Sequence, residues 1–321
     1  MQLFYDEGFI ESAVLLCASR GETGRPAFAP GQAAAGRVQR LQISRFRRER
    51  EKLYRILDPD ERNAAFFKLH LDWFREWGLE QPLTDTLNEF PLVRELLGVL
   101  AVRRSTGKDD EGAELYVNEA NRRTGVLALR LERLMQDAAL RDYLRHEFTH
   151  LHDMLDPAFG YAPRLDLPGL NAAQQRLARE RYRLVWDITI DGRLAAAGHA
   201  PLETREQHAA AFARGYSCWP EPKQVEAFNL LWHCRTPRHA DFLALIADPR
   251  GLRDARRPAP GGSCPLCDFS TFHWADANVL PPEIIGRIRA EFPGWSREQG
   301  LCGRCLETYQ ALAAAGGAAA P

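Results

Sequence analysis

Arg145-His146-Glu147-Phe148-Thr149-His150-Leu151-His152-Asp153 is the stretch on which the reading of this 321-residue chain turns. On an α-helix, residues four apart stand one above the other. His146 and His150 therefore offer two imidazoles to one point, with Glu147 beside them, about 100° round the axis. Two neutral imidazoles suit zinc, and a carboxylate that is not itself a ligand can take a proton from a water whose pKa the metal lowers. The flanks fit a helix: Ala138 to Leu144 consists largely of helix formers, and Asp156-Pro157 with Gly160 closes the element. The competing reading, a helix that happens to carry surface histidines, leaves the intervening Glu unexplained.

Three short apolar runs precede this helix: Val99-Leu100-Ala101-Val102, Leu115-Tyr116-Val117 and Val126 to Leu131, the last alternating Leu127, Leu129 and Leu131 with Ala128 and Arg130. Their length and separation by polar or Gly-containing turns predict a small sheet. After the motif, Asn171 to Ala197 reads as one long helix, N-capped near Asn171, ended by Gly198, with Leu177, Leu184 and Ile188 as its buried stripe. Asp187 and Asp191 lie on or beside that stripe. An ionised carboxylate on an apolar face is costly unless it is paired or bound to a cation, so the pair calls for a metal or for salt bridges to Arg183 or Arg193.

The His146-Glu147-Phe148-Thr149-His150 motif, with a sheet before it, resembles the zincin superfamily of HExxH zinc metallopeptidases. The resemblance implies peptide-bond hydrolysis by metal-activated water with Glu147 as general base, and an edge strand able to pair with an extended substrate. Trp186-Asp187-Ile188-Thr189-Ile190-Asp191 looks like the second zinc helix of the gluzincin branch. Carried over, Asp187 would be the third ligand and Asp191 would hold the free ring N–H of a zinc histidine. The family has Glu where this chain has Asp187, one methylene shorter, so the two helices must approach more closely; Glu180 and Asp191 are the alternative ligands. Asp153, at i+7 from His146, lies roughly 10 Å along the axis, too far to share the ion. His199, His208, Tyr216, His233 and His239 follow without informative spacing, Tyr216 being a weak candidate for an oxyanion donor.

Two further motifs sit near the C-terminus, Cys264-Pro265-Leu266-Cys267 and Cys302-Gly303-Arg304-Cys305. Two Cys-x-x-Cys pairs so close together predict a structural zinc held by four cysteines in a zinc-ribbon or treble-clef-like module, since each pair bites the ion with two thiolates; a redox dithiol would need only one pair. Between them Pro281 to Phe292 predicts an amphipathic helix, with Ile284, Ile285, Ile288 and Phe292 on one face, and Leu306 to Ala315 a second helix. Phe269, Phe272, His273, Trp274 and Trp295 supply aromatic side chains, more of them core than surface. An HExxH domain followed by a four-cysteine zinc module is similar in layout to SprT-like proteases. Those take a third histidine shortly after the motif, where this chain offers only His152, so their DNA-linked substrates are not carried over.

The 42 basic and 43 acidic side chains nearly cancel, so any nucleic-acid footprint must be local. Arg37 to Arg55 is a basic helical pattern interleaved with acids, read as a solvated face. Ala64 to Trp77 reads as a buried helix with His70 packed inside it, while Ala13 to Cys17 is left open between strand and helix. Acids at Asp6 and Glu7 and the absence of a long apolar run argue against a signal peptide and a membrane span, and predict a cytoplasmic protein with reduced cysteines.

The expected architecture is α+β: a zincin-like domain over residues 1–248, with 1–60 an N-terminal extension, a linker over 249–263 and a zinc module over 264–321. The expected function is that of a zinc metallopeptidase with one catalytic and one structural zinc, acting on protein or peptide; nucleic acid is a less favoured partner. The rivals are a non-catalytic scaffold that binds a protein in the cleft and a nucleic-acid-associated regulator using the zinc module.

Overall fold

Strand β2 (Val99–Arg104) and strand β4 (Arg123–Leu129) run parallel at the centre of a four-stranded sheet, with β1 (Gln2–Tyr5) parallel on the outer side of β2 and β3 (Gly112–Val117) antiparallel on the outer side of β4. This arrangement comes from a computed structural model, which describes residues 1–22, 40–120, 122–165, 167, 170, 172–247, 262–271, 273–275 and 280–316. The three runs expected as strands are strands, except that Leu131 leaves the sheet to begin a 3-10 turn, Leu131–Met135. The sheet is mixed, and among the described residues no strand pairs with the outer edge of β3, a placement that matters below.

The N-terminal residues are built into this core and do not form an appendage. Four residues of β1 pair with β2, and Tyr5 is buried. Helix α1 (Glu7–Glu22) follows, with Asp6 accepting the Phe9 N–H at 2.8 Å, and buries Phe9, Ile10, Ala13, Val14 and Cys17. The run left open between strand and helix is thus helix interior. Of the arginine-rich segment, helix α2 (Arg40–Leu53) buries only Ile43 and Phe46, and Arg45 pairs with Glu49 and Glu76. Helix α3 (Pro59–Glu76), capped by Asp58, buries Trp73 and Phe74, and its His70 packs between the rings of Phe46 and Phe66.

Short helices α4 (Gln81–Asn88) and α5 (Pro91–Leu96) lead to β2, and α6 (Asp137–Leu155) carries the two-histidine motif. Leu140, Leu144, Phe148, Leu151 and Leu155 of α6 recur at helical spacing and join Leu100, Val102, Leu127 and Leu129 in one core. Helix α7 (Ala172–Ala196) ends where Gly198 adopts φ 84°, with His199 N–H bonded back to Leu194 C=O at 3.0 Å. Of its expected buried stripe Ile188 is buried, Leu184 is half-buried and Leu177 is 46% exposed; Ala178, Tyr182 and Val185 complete the buried face. Asn171 lies outside the described residues. Helices α8 (Arg205–Gly215), α9 (Glu221–Trp232) and α10 (His239–Ala247) follow.

The chain divides into two compact units, one comprising Met1–Gly215 with Pro222–Phe242 and the other Tyr216–Glu221 with Leu243–Pro321. In the second, α11 (Pro282–Glu291) packs Ile284, Ile285 and Ile288 with Trp295, Leu301 and Tyr309 around the cysteines. Helix α12 (Gly303–Gly316) begins inside the second Cys-x-x-Cys pair, three residues earlier than the sequence suggested. Trp295 is core, while Phe269 is 69% exposed. Most of the expected linker, residues 249–261, and Phe272 lie outside the described residues. Among the described residues no helix is long and apolar enough to cross a membrane.

Candidate metal centre

Helix α6 has two faces with different chemistry. The leucines and Phe148 are turned to the sheet, and His146 and His150, their ring centroids 5.0 Å apart, are turned towards α7. Asp187 comes from α7 to meet them. Its Oδ1 lies 3.6 Å from His146 Nε2 and 3.0 Å from His150 Nε2, and the three donor atoms all lie within 4.8 Å of one another. Tetrahedral zinc with nitrogen and oxygen ligands sets such atoms about 3.3 Å apart, so the donor set and its spacing fit the ion. Asp187, one methylene shorter than Glu, reaches both histidines, and α7 also packs directly on the end of α9, where a Cβ on Gly192 would stand 2.1 Å from the Trp232 carbonyl oxygen.

Asp191, one turn further along α7, is fully buried and gathers four donors. His146 Nδ1 lies 2.8 Å from Oδ1, His208 Nε2 lies 2.7 Å from Oδ2, and the backbone N–H groups of Leu202 and Glu203 donate at 3.1 and 2.9 Å. A carboxylate can only accept here, so His146 Nδ1 carries a proton, and Nε2 is the nitrogen that faces Asp187 and is left for a metal. Burial raises the Asp191 and Asp187 pKa values, but hydrogen bonds from the facing histidines outweigh it and hold both well below the usual range. Burial likewise opposes a charged His146, yet the two aspartates hold its pKa up at about 10.

Glu147 stands beside this group and is held from the sheet. Its Oε2 accepts the Ala113 N–H of β3 at 2.8 Å. In an antiparallel ladder alternate residues turn away from the partner strand, so Ala113, Leu115 and Val117 present their main-chain groups outward from β4, on the side where Glu147 lies. Gly112 begins the strand at φ 151°, a conformation reserved for glycine, and a Cβ there would stand 3.6 Å from Glu147 Oε2. Glu147 and Ala113 border a cleft of about 930 Å³, lined also by Tyr143, Tyr161 and Trp186. The Trp186 ring meets His150 edge-on at 4.5 Å, and burial, reinforced by the Glu147 charge, pushes the Tyr143 hydroxyl pKa well up, so it stays protonated.

Several expected candidates are elsewhere. Glu180 is exposed and lies 3.8 Å from Arg176, too remote to be a ligand, because two turns of α7 carry it away from the histidines. Asp153 receives Arg193 at 2.8 and 2.5 Å and the Trp186 indole N–H at 2.8 Å, so Arg193 serves Asp153 and neither Asp187 nor Asp191. His239 meets the Tyr182 hydroxyl at 2.5 Å, Tyr216 is buried beside Trp219, and His233 is exposed. Spacing gave the candidate His208 no role, because that role depends on a loop returning to Asp191, and the Ala113 N–H is a contact that no side-chain pattern can reveal.

In the second unit the four cysteine sulfurs also lie within 4.8 Å of one another, Cys264 to Cys305 at 3.9 Å and Cys267 to Cys302 at 3.8 Å. Four thiolates at zinc–sulfur distance on a tetrahedron stand about 3.8 Å apart, so this group fits zinc. Backbone N–H groups of Cys302 and Cys305 point at the sulfurs of Cys264 and Cys302, each at 3.3 Å. Burial raises the Cys264 pKa, but the amides of Cys302, Leu266 and Cys267 pull it down to about 7, while burial and the neighbouring sulfurs push Cys305 well up. Comparison with protein-family models, curated proteins and solved structures gave no match for this chain.

Proposed function

We propose that the chain is a zinc metallopeptidase of zincin type, in which His146, His150 and Asp187 hold the catalytic ion and Cys264, Cys267, Cys302 and Cys305 a structural one. The observation that carries this is the convergence of His146 Nε2, His150 Nε2 and Asp187 Oδ1 beside the Glu147 carboxylate, within a cleft bordered by an open strand edge. Zinc bound there would supply Lewis acidity to polarise a peptide carbonyl and acidify water.

The residues of the chain do the rest. Asp191 fixes the His146 tautomer. Ala113 N–H anchors one oxygen of Glu147 and leaves the other to take a proton from the attacking water and pass it to the leaving amine. Outward main-chain groups at Leu115 and Val117 pair with an extended peptide, giving affinity without reading its side chains. The partner is accordingly a protein or peptide segment able to lie as a strand.

Glu147→Gln tests the reading: zinc content should be kept and peptide hydrolysis should fall by about 10²- to 10⁴-fold. Full turnover in the variant contradicts the assignment of Glu147, and a native chain no more active than the variant favours the scaffold reading.

A further inference from the structure

Helix α7 carries Arg179, Arg183 and Asp187 at successive turns, one above the other, and all three line the cleft. Both arginines are exposed, and among the described residues neither forms an ion pair or hydrogen bond. Arg183 Nη2 lies 3.9 Å from the point where a Cβ of Gly112 would stand, and Glu147 Oε2 is 3.6 Å from the same point. The guanidinium thus sits at the start of the open β3 edge, next to the proposed general base. Glu111, the acid nearest this strand start in sequence, is already held by Arg130 and Arg133. Of the other carboxylates on the rim, Asp110 is held by Arg103, Glu114 is taken by the Tyr116 hydroxyl, Glu203 points towards His208, and Asp109 is exposed.

We infer that Arg183 and Arg179 form a subsite for an anionic side chain, so that the peptides cleaved carry Asp or Glu close to the scissile bond. The inference rests on the peptidase reading and sharpens it. An arginine accepts a carboxylate in bidentate fashion, and two guanidiniums one turn apart cover a span that a side chain on a paired strand can reach. A peptide extended along β3 passes Arg183 as its main chain approaches Glu147, which brings charge recognition and the reacting bond into register.

The test uses the full zinc-loaded chain and internally quenched peptides of alanine and leucine, in which one position at a time is Asp, Glu, Asn, Gln or Lys. The native protein should prefer Asp or Glu over the matching amide at one position by roughly five- to tenfold in kcat/KM, within the range of partly exposed ion pairs. Arg179→Glu/Arg183→Glu should invert that order in favour of Lys. Equal losses on all peptides with the order unchanged, or no acidic preference in the native chain, overturn the subsite alone. Absence of hydrolysis of every peptide by the native chain overturns the peptidase reading and this inference with it.

Discussion

His146 Nδ1 and Asp191 Oδ1 stand 2.8 Å apart at a fully buried junction, and the same carboxylate holds His208 and two backbone amides of the loop that follows α7. One aspartate therefore ties the first histidine of the motif to α7, to α8 and to the loop between them. Asp191→Asn keeps the shape and removes the charge. It is expected to weaken zinc at the His146–His150–Asp187 group by about ten- to a hundredfold, as loss of an outer carboxylate does, read by competition with a chelator of known affinity.

The contact of α7 with the end of α9 has no room for a side chain at Gly192, where a Cβ would lie 2.1 Å from the Trp232 carbonyl oxygen. Backbone cannot move aside as a flexible side chain can. Gly192→Ala should destabilise the fold by about 3 kcal/mol despite the better helix propensity of alanine, with the shift seen in urea midpoint. Gly286, with nothing within 4 Å of its Cβ position, is the matched control.

Asp153 links α6 to α7 through Arg193 and Trp186. Burial raises its pKa, but the bonds from His152, Arg193 and Trp186 prevail and bring it down to about 2, from an ordinary 3.8. A depressed carboxylate contributes stability that is present above its unfolded pKa and is lost as pH falls through the folded one. Asp153→Asn should therefore be less stable than the native chain by about 2 to 3 kcal/mol at neutral pH, and the gap should close as pH falls from about 4 to about 2.

The second unit owes its small core to the cysteines, since Cys264, Cys302 and Cys305 are themselves buried among Ile284, Ile288 and Leu301. Cys264→Ser should release one zinc per chain and open the segment carrying α11 and α12 to limited proteolysis, with the fragments mapping to that segment. Cys218→Ser, at an exposed position outside the cluster, should do neither.

Local pattern made the centre of the candidate site legible and long-range pairing hid its surroundings. The four-residue spacing of His146 and His150 predicts a shared helix face, and the structure has them on one; the two Cys-x-x-Cys pairs are likewise brought together. Strand β1 escaped notice because Gln2–Tyr5 shows no alternation of its own and becomes a strand only by pairing with residues 99–102, far along the chain. Leu177 misled because apolarity near a helix start does not reveal which side the core lies on. The sequence offered Arg193 to Asp187 or Asp191, and only the crossing of α6 and α7 places it on Asp153.

Zinc content per purified chain, measured for the native protein beside His150→Ala, addresses the central claim most directly. Two independent donor groups predict two ions in the native chain and one in the variant. One ion in both, unchanged when zinc is added in excess, would mean that only the cysteines bind metal and would contradict the proposed catalytic centre.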